Sequence, residues 1–264
     1  MSVSSNAVKV TAKTALKCNF FNGMISSLIL IFTFLLCSNI AGALSLVIGD
    51  IAAEILFFIM AVLLLFPIGL GVLRYIWRML FSAKDSPLYT FYWFSSKELY
   101  LRALKFIAQL VVRIVFWIAV TNIPSILLFV LSKNYIFELF DSSMPIWTAN
   151  LGYYSIVLRN ISFVAVFFIM LKFYLAPVLF VADDNMDCNE ALYISSVISR
   201  KTSLDFIGLI FSSIGWIALS VFILPLPFTL PLLLSYYAVH TRFSVAEYNR
   251  HIEERVNSVG FIWQ

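Results

Sequence analysis

The chain has 264 residues, of which 62% are hydrophobic and only 12% charged, with a mean hydropathy of +0.95, whereas soluble domains run at roughly 45–50% apolar and about 25% charged. A water-soluble fold is excluded. The 26 Phe, 12 Tyr and 6 Trp beside only 9 Gly and 8 Pro also exclude low complexity, collagen and disorder.

In chain order, Lys9, Lys13 and Lys17 precede a first apolar run from Phe20 to Ile48. That run is much longer than a signal-peptide core of roughly 7–15 residues. Leu36 before Cys37 lacks the small residue that lipoprotein processing needs, so the run is expected to stay as an anchor. Further apolar runs follow at Ile55 to Leu73, Phe106 to Ser132, Tyr154 to Val181, Phe206 to Leu224 and Phe228 to Val239, the last with a weakly polar tail to Arg242. At about 20 residues per crossing they predict an all-α, polytopic membrane protein: one integral membrane domain over residues 1–264 with six transmembrane helices.

Placing both termini in the cytoplasm puts fourteen basic residues inside: Lys9, Lys13, Lys17, Arg74, Arg78, Lys84, Lys97, Arg102, Lys105, Arg200, Lys201, Arg242, Arg250 and Arg255. Only Lys133 falls outside, and the positive-inside rule then fixes a cell-membrane orientation. The net charge of +4 is therefore topological, and with no basic patch interleaved with base-stacking aromatics no nucleic-acid partner is expected. Cys18, Cys37 and Cys188 are odd in number and widely spaced, which predicts free thiols.

The cytoplasmic connections carry helix signals. Ser86-Pro87 is a helix start, and Asp187 with Glu190 three residues on is a capping-box-like opening for a helix bearing Ala191, Ile194, Val197 and Ile198 on one face. Both stretches are expected to form amphipathic helices along the inner membrane surface, with Lys9 to Lys17 as a third.

Residues 175–248 carry a pattern: Leu175-Ala176-Pro177, Phe180 to Asn185, Glu190-Ala191-Leu192, Ser195-Ser196 and Arg200-Lys201. It continues through Phe206, Ser212, Gly215-Trp216, Pro231, Tyr236-Tyr237 and Tyr248. This pattern resembles a bacterial family of six-helix integral membrane proteins of unknown function, itself similar to the membrane domain attached to some glycerophosphoryl diester phosphodiesterases. The first two thirds of the chain agree in segment order and in the Ile123-Pro124 break. Pro225, Pro227 and Pro231 before the last helix depart from the pattern. No phosphodiesterase segment accompanies it here, so the resemblance implies a fold and no catalytic residue.

Intramembrane charge is where function concentrates in such proteins, and Arg113, Arg159 and Lys172 qualify. Arg159 and Lys172 can each snorkel to an interface. All fourteen Asp and Glu lie at segment ends or in loops, so no midplane carboxylate is expected for proton or cation coupling. Arg113, with Asn122 and the Pro124 break on the same segment, and cytoplasmic Arg74 and Arg78 are the candidate ligand-binding residues, suited to a phosphate-bearing headgroup. Asp183, Asp184, Asp187 and Glu190 lack the order and the glycine of a calcium loop, and helix capping explains two of them. Neither a nucleophile motif nor a phosphate loop occurs, so neither enzymatic activity nor a metal or cofactor is expected. The expected role is non-enzymatic: assisting or organising at the inner leaflet by binding anionic lipid or a protein partner, or as a homo-oligomer. The alternative is a transporter of a small anion or amphiphile.

Overall fold

The structure is a computed structural model that describes residues 4–17, 19–81, 85–132, 151–222 and 224–260. Cys18, Lys84 and Lys133, which entered the sequence argument, lie outside the described residues. Every regular element among the described residues is a helix.

The first hairpin pairs α2 (Phe20–Ile48) with α3 (Asp50–Met60), which runs through a π turn (Ala61–Leu65) into α4 (Phe66–Phe81). The reversal is made at Gly49, whose φ of 84° an L side chain would resist. The second apolar element thus starts at Asp50, ahead of the expected Ile55, because one glycine suffices for the turn. Pro67 near the start of α4 has no N–H to give the preceding turn, and the Leu63 carbonyl four residues back accepts from the Tyr100 hydroxyl at 3.0 Å.

A 3-10 helix, Pro87–Phe94, follows, opened by Ser86, whose side chain accepts from the Leu88 N–H, and by proline at its first position. The next helix, α5 (Lys97–Ser132), runs unbroken through Pro124. The Ile123-Pro124 break read from the sequence is therefore not a break in the helix. After α6 (Leu151–Met170) the chain turns and restarts as the short α7 (Ala176–Ala182), with Pro177 in its first turn. The expected single segment from Tyr154 to Val181 is thus split, since a proline suits a helix start better than an interior.

Asp187 opens α8 (Cys188–Ser212), accepting from the Asn189 N–H at 3.4 Å. Its buried stripe is Ala191, Leu192, Ser195, Ile198, Ser199 and Thr202, turned slightly from the expected face. The helix continues through Phe206, so the expected surface helix and the start of the fifth segment are one element. It meets α9 (Ile214–Ser220) at a bend of 62°. The last helix, α10, spans Leu226–Gly260 with Pro231 inside it.

Among the described residues four helical stretches are long and apolar enough to cross a membrane, Phe20–Val47, Asp50–Phe81, Lys97–Leu131 and Tyr153–Met170; α8 with α9 makes a fifth if the bent pair is one span. The sixth crossing expected from Phe228 falls in α10, whose apolar run is interrupted by Pro231 and Tyr236-Tyr237 and ends at His240 and Arg242.

The chain divides into two compact units. The larger comprises Met1–Ile107 and Tyr174–Gln264, and the smaller Ala108–Phe173. In the larger, the N-terminal helix α1 (Ser5–Lys17) buries Val8, Ala12 and Leu16, spaced i, i+4, i+8, against Val72, Tyr75 and Ile76 of α4 and Leu232, Tyr236 and Val239 of α10. In the smaller, Ser125 and Ser155 each donate a hydroxyl to the other's carbonyl, at 2.9 and 3.0 Å, tying α5 to α6.

Candidate functional site

The polar concentration of the larger unit is centred on Arg74, which α4 carries into the interior, where it is only 2% exposed. A buried guanidinium is tolerated only when paired and hydrogen-bonded. Arg74 meets both conditions: its two terminal nitrogens fork onto Asp184 at 2.6 and 2.8 Å, and one also donates to the Val181 carbonyl at 3.1 Å. Its plane lies over the Tyr92 ring, 3.9 Å from the centroid, and only Nε lacks a partner.

Three neighbouring stretches supply the surroundings. Tyr92, on the 3-10 helix, also donates its hydroxyl to Asp184 at 3.2 Å. Arg102, near the start of α5, donates to the Asp183 and Met186 carbonyls at 3.1 and 2.7 Å and lies 4.8 Å above the Phe180 ring. Phe180 is sandwiched between Phe106 and Trp93, with centroids 4.3 and 5.2 Å away and rings within 10° of parallel. One turn along α4 from Arg74, Arg78 donates Nε to Asp85 at 2.6 Å and a terminal nitrogen to the Tyr89 hydroxyl at 3.2 Å. The 3-10 helix fits this closely because position 71 is glycine: a Cβ there would come within 1.8 Å of the Thr90 carbonyl oxygen.

Arg74 and its hydrogen-bonding partners hold the Asp184 carboxyl below the usual carboxylate range, the Arg74 hydrogen bond contributing most. The backbone N–H groups of Cys188 and Asn189 do the same for Asp187, which Lys105 approaches at 3.5 Å on the surface. Asp183 accepts from the Asn185 N–H at 2.8 Å. The acidic run 183–187 is thus occupied by an arginine, a turn and a helix cap. No group of three or more His, Cys, Asp or Glu that could hold a metal ion occurs among the described residues.

Of the residues singled out from sequence, Arg74 and Arg78 come together here, with their strongest contacts made to this chain's own carboxylates. Arg113 and Asn122 lie on α5 within the smaller unit. Arg113 stacks on Phe173 at 5.6 Å, and Asn122 donates its amide to the Ile118 carbonyl of its own helix at 2.8 Å. Sequence reasoning missed Asp184, Tyr92 and Arg102 as partners of Arg74. The one signal available was the coincidence of a basic α4 end with an acidic run elsewhere. A second polar group in the larger unit surrounds His240, fully buried on α10, whose Nδ1 is 3.5 Å from the Ser244 hydroxyl and whose Nε2 has no partner. Beside it, the Tyr174 ring stacks on Phe206 and the Tyr174 hydroxyl meets Thr202 at 2.9 Å.

No protein-family model matches the chain, and searches of the curated proteins and of the solved structures find no match to it.

Proposed function

We propose that this is a non-enzymatic, multi-pass membrane protein that organises anionic lipid, or a partner protein, at the inner leaflet. Both termini are then cytoplasmic, with six crossings, the front of α10 being the sixth. The resemblance of residues 175–248 to the six-helix family agrees with this reading.

The supporting observation is the orientation of α1. Its apolar stripe Val8, Ala12 and Leu16 is buried in protein, and Lys9 donates its ammonium to the Ser212 carbonyl at the end of α8. The opposite side is then turned outward, with Lys13 and Lys17 exposed beside Val10 at 65% exposure. A docked helix presenting lysines next to exposed apolar surface is suited to a bilayer carrying negative headgroups. Each lysine near such a surface contributes about 1 kcal/mol, so removing both should weaken lipid retention roughly 30-fold.

The test is purification in native lipid followed by mass spectrometry of co-purifying lipids and proteins, comparing the natural chain with Lys13→Gln/Lys17→Gln. Enrichment of anionic lipid that falls in the double variant supports the proposal. Neither an anionic lipid nor a stable partner above controls would end it.

The transporter alternative draws on one observation, the 62° bend between α8 and α9 at Ser213, whose buried hydroxyl has no partner. Broken helices of this kind line the pathways of many carriers. Uptake of a labelled organic anion by proteoliposomes would favour it.

A further inference from the structure

The 3-10 helix Pro87–Phe94 has three residues per turn, so side chains three apart stack in a line. Its sequence sorts into three such lines with different surroundings. Thr90 and Trp93 are buried, at 0% exposure, and face the core. Tyr89 and Tyr92, stacked at 5.2 Å, hold Arg78 and Arg74 over their rings at 4.7 and 3.9 Å. The third line, Leu88, Phe91 and Phe94, is exposed at 70%, 41% and 38%. With Tyr89, Tyr92 and Ser95 it lines an open cleft of about 510 Å³.

Three large apolar side chains in a row on a segment this short need a cover, and the chain's connectivity says which. The helix begins six residues after the candidate span Asp50–Phe81 ends and stops three residues before the candidate span starting at Lys97 begins. Both its ends are therefore tethered to membrane-crossing helices. Over 32 residues the first of those spans is about 48 Å long at about 1.5 Å per residue, against a hydrocarbon core of about 30 Å, so its Arg78 end reaches the headgroup layer. Exposed Lys97 beside Phe94 adds a cation at phosphate depth.

We propose that Leu88, Phe91 and Phe94 form a wedge that inserts into the boundary between phospholipid headgroups and acyl chains. The Arg74 cluster beneath holds this edge rigid, so the wedge enters the bilayer as a preformed surface. The proposal rests on membrane residence alone and is independent of the anionic-lipid role given to α1.

The test is site-directed spin labelling of the full-length chain in nanodiscs, with single cysteines at Leu88, Phe91 and Phe94 and an aqueous reference at exposed Glu253. Nanodiscs of phosphatidylcholine alone are compared with nanodiscs also containing phosphatidylglycerol. The expected result is a higher ratio of oxygen to nickel-chelate collision at all three positions than at Glu253, in both lipid compositions. A ratio equal to that at Glu253 would place the line in water and overturn the wedge. Spectral broadening that disappears on dilution with unlabelled chain would overturn it in favour of a second copy. Loss of anionic-lipid retention in the α1 variant with the collision ratios unchanged would show that the two proposals stand or fall separately. All three labelled positions are exposed, and near-ultraviolet circular dichroism verifies the folding of each variant.

Discussion

Arg74 and Asp184, 110 residues apart in sequence, form a two-pronged ion pair in which the arginine is sealed from solvent and the carboxylate keeps a side chain 52% exposed. The asymmetry determines what each removal does. Asp184→Asn leaves a buried guanidinium without its counter-charge; because the carboxylate is half exposed and solvent-screened, the cost is on the order of 1–3 kcal/mol, below that of a fully buried pair. Arg74→Met with Asp184→Asn removes the charge as well as the partner and should recover much of that loss. Because folding lowers the Asp184 pKa, the stability it contributes is complete above the unfolded carboxylate value of about 4 and is lost as pH falls through the lower folded value. Thermal unfolding in detergent should therefore show a gap between the natural chain and Asp184→Asn at pH 7 that narrows in acid. A gap independent of pH would refute the linkage.

Gly71→Ala is expected to damage the larger unit severely. The added methyl carbon would sit 1.8 Å from the Thr90 carbonyl oxygen, part of a backbone that cannot swing aside, and overpacking of this kind costs about 3 kcal/mol. Gly69→Ala, two residues away on the same helix, meets nothing within 4 Å and should gain up to about 1 kcal/mol of helix propensity. Melting temperatures of the pair check this, and equal behaviour would mean that the 3-10 helix does not press on α4.

Local chemistry made part of this legible in the sequence. Ser86-Pro87 and Asp187 open helices where capping rules put them, and the apolar lengths marked the four helices that, among the described residues, are long and apolar enough to cross a membrane. The Arg74–Asp184 pair was not legible, because periodicity reports which face of a helix is apolar and says nothing about which helices meet. Arg74 and Arg78 therefore looked like free cations awaiting a phosphate, when α4 delivers them to Asp184 and Asp85. The line Leu88, Phe91, Phe94 was hidden for a different reason: an eight-residue apolar run is too short to show its period until the backbone selects three residues per turn.

Tyr100→Phe removes the hydroxyl that Leu63 accepts beside Pro67, leaving a carbonyl in the second hairpin arm to find another donor. The expected cost is about 1 kcal/mol, with faster amide exchange around the π turn Ala61–Leu65. Hydrogen exchange followed by mass spectrometry reads it directly. Unchanged protection there would mean that the bond adds nothing to the hairpin.

The proposed orientation, with both termini cytoplasmic, rests on the fourteen basic residues it puts on one side against Lys133 on the other. A cysteine at Ser142, with Cys18 replaced by Ser, should react with an impermeant maleimide in intact cells, and one at Lys13 should react only after lysis. The free thiols of Cys37 and Cys188 are buried and give little background. The reverse labelling pattern would invert the protein and move the α1 lysines to the outer leaflet.

Within the smaller unit, Ser125 and Ser155 exchange hydroxyl-to-carbonyl bonds at 2.9 and 3.0 Å, and Ser162 donates to the Thr121 carbonyl at 2.7 Å. All three serines are buried while the flanking Ile126, Leu127, Ile156 and Ile161 are more than half exposed, as expected of helices whose outer faces meet lipid and whose seam is small and polar. Lipid offers no hydrophobic drive to hold α5 against α6, so close approach and these bonds must do it. Interhelical bonds in membranes average about 0.6 kcal/mol, because the separated helices satisfy the same groups internally. Ser125→Ala and Ser155→Ala should each cost about that much, and the double variant less than the sum, since each hydroxyl is positioned by the other strand of the exchange. Ser155→Leu should cost more than either, by forcing the seam apart. Unfolding in mixed micelles measures all four, and a leucine tolerated as well as alanine would show that α5 and α6 do not pack through this seam.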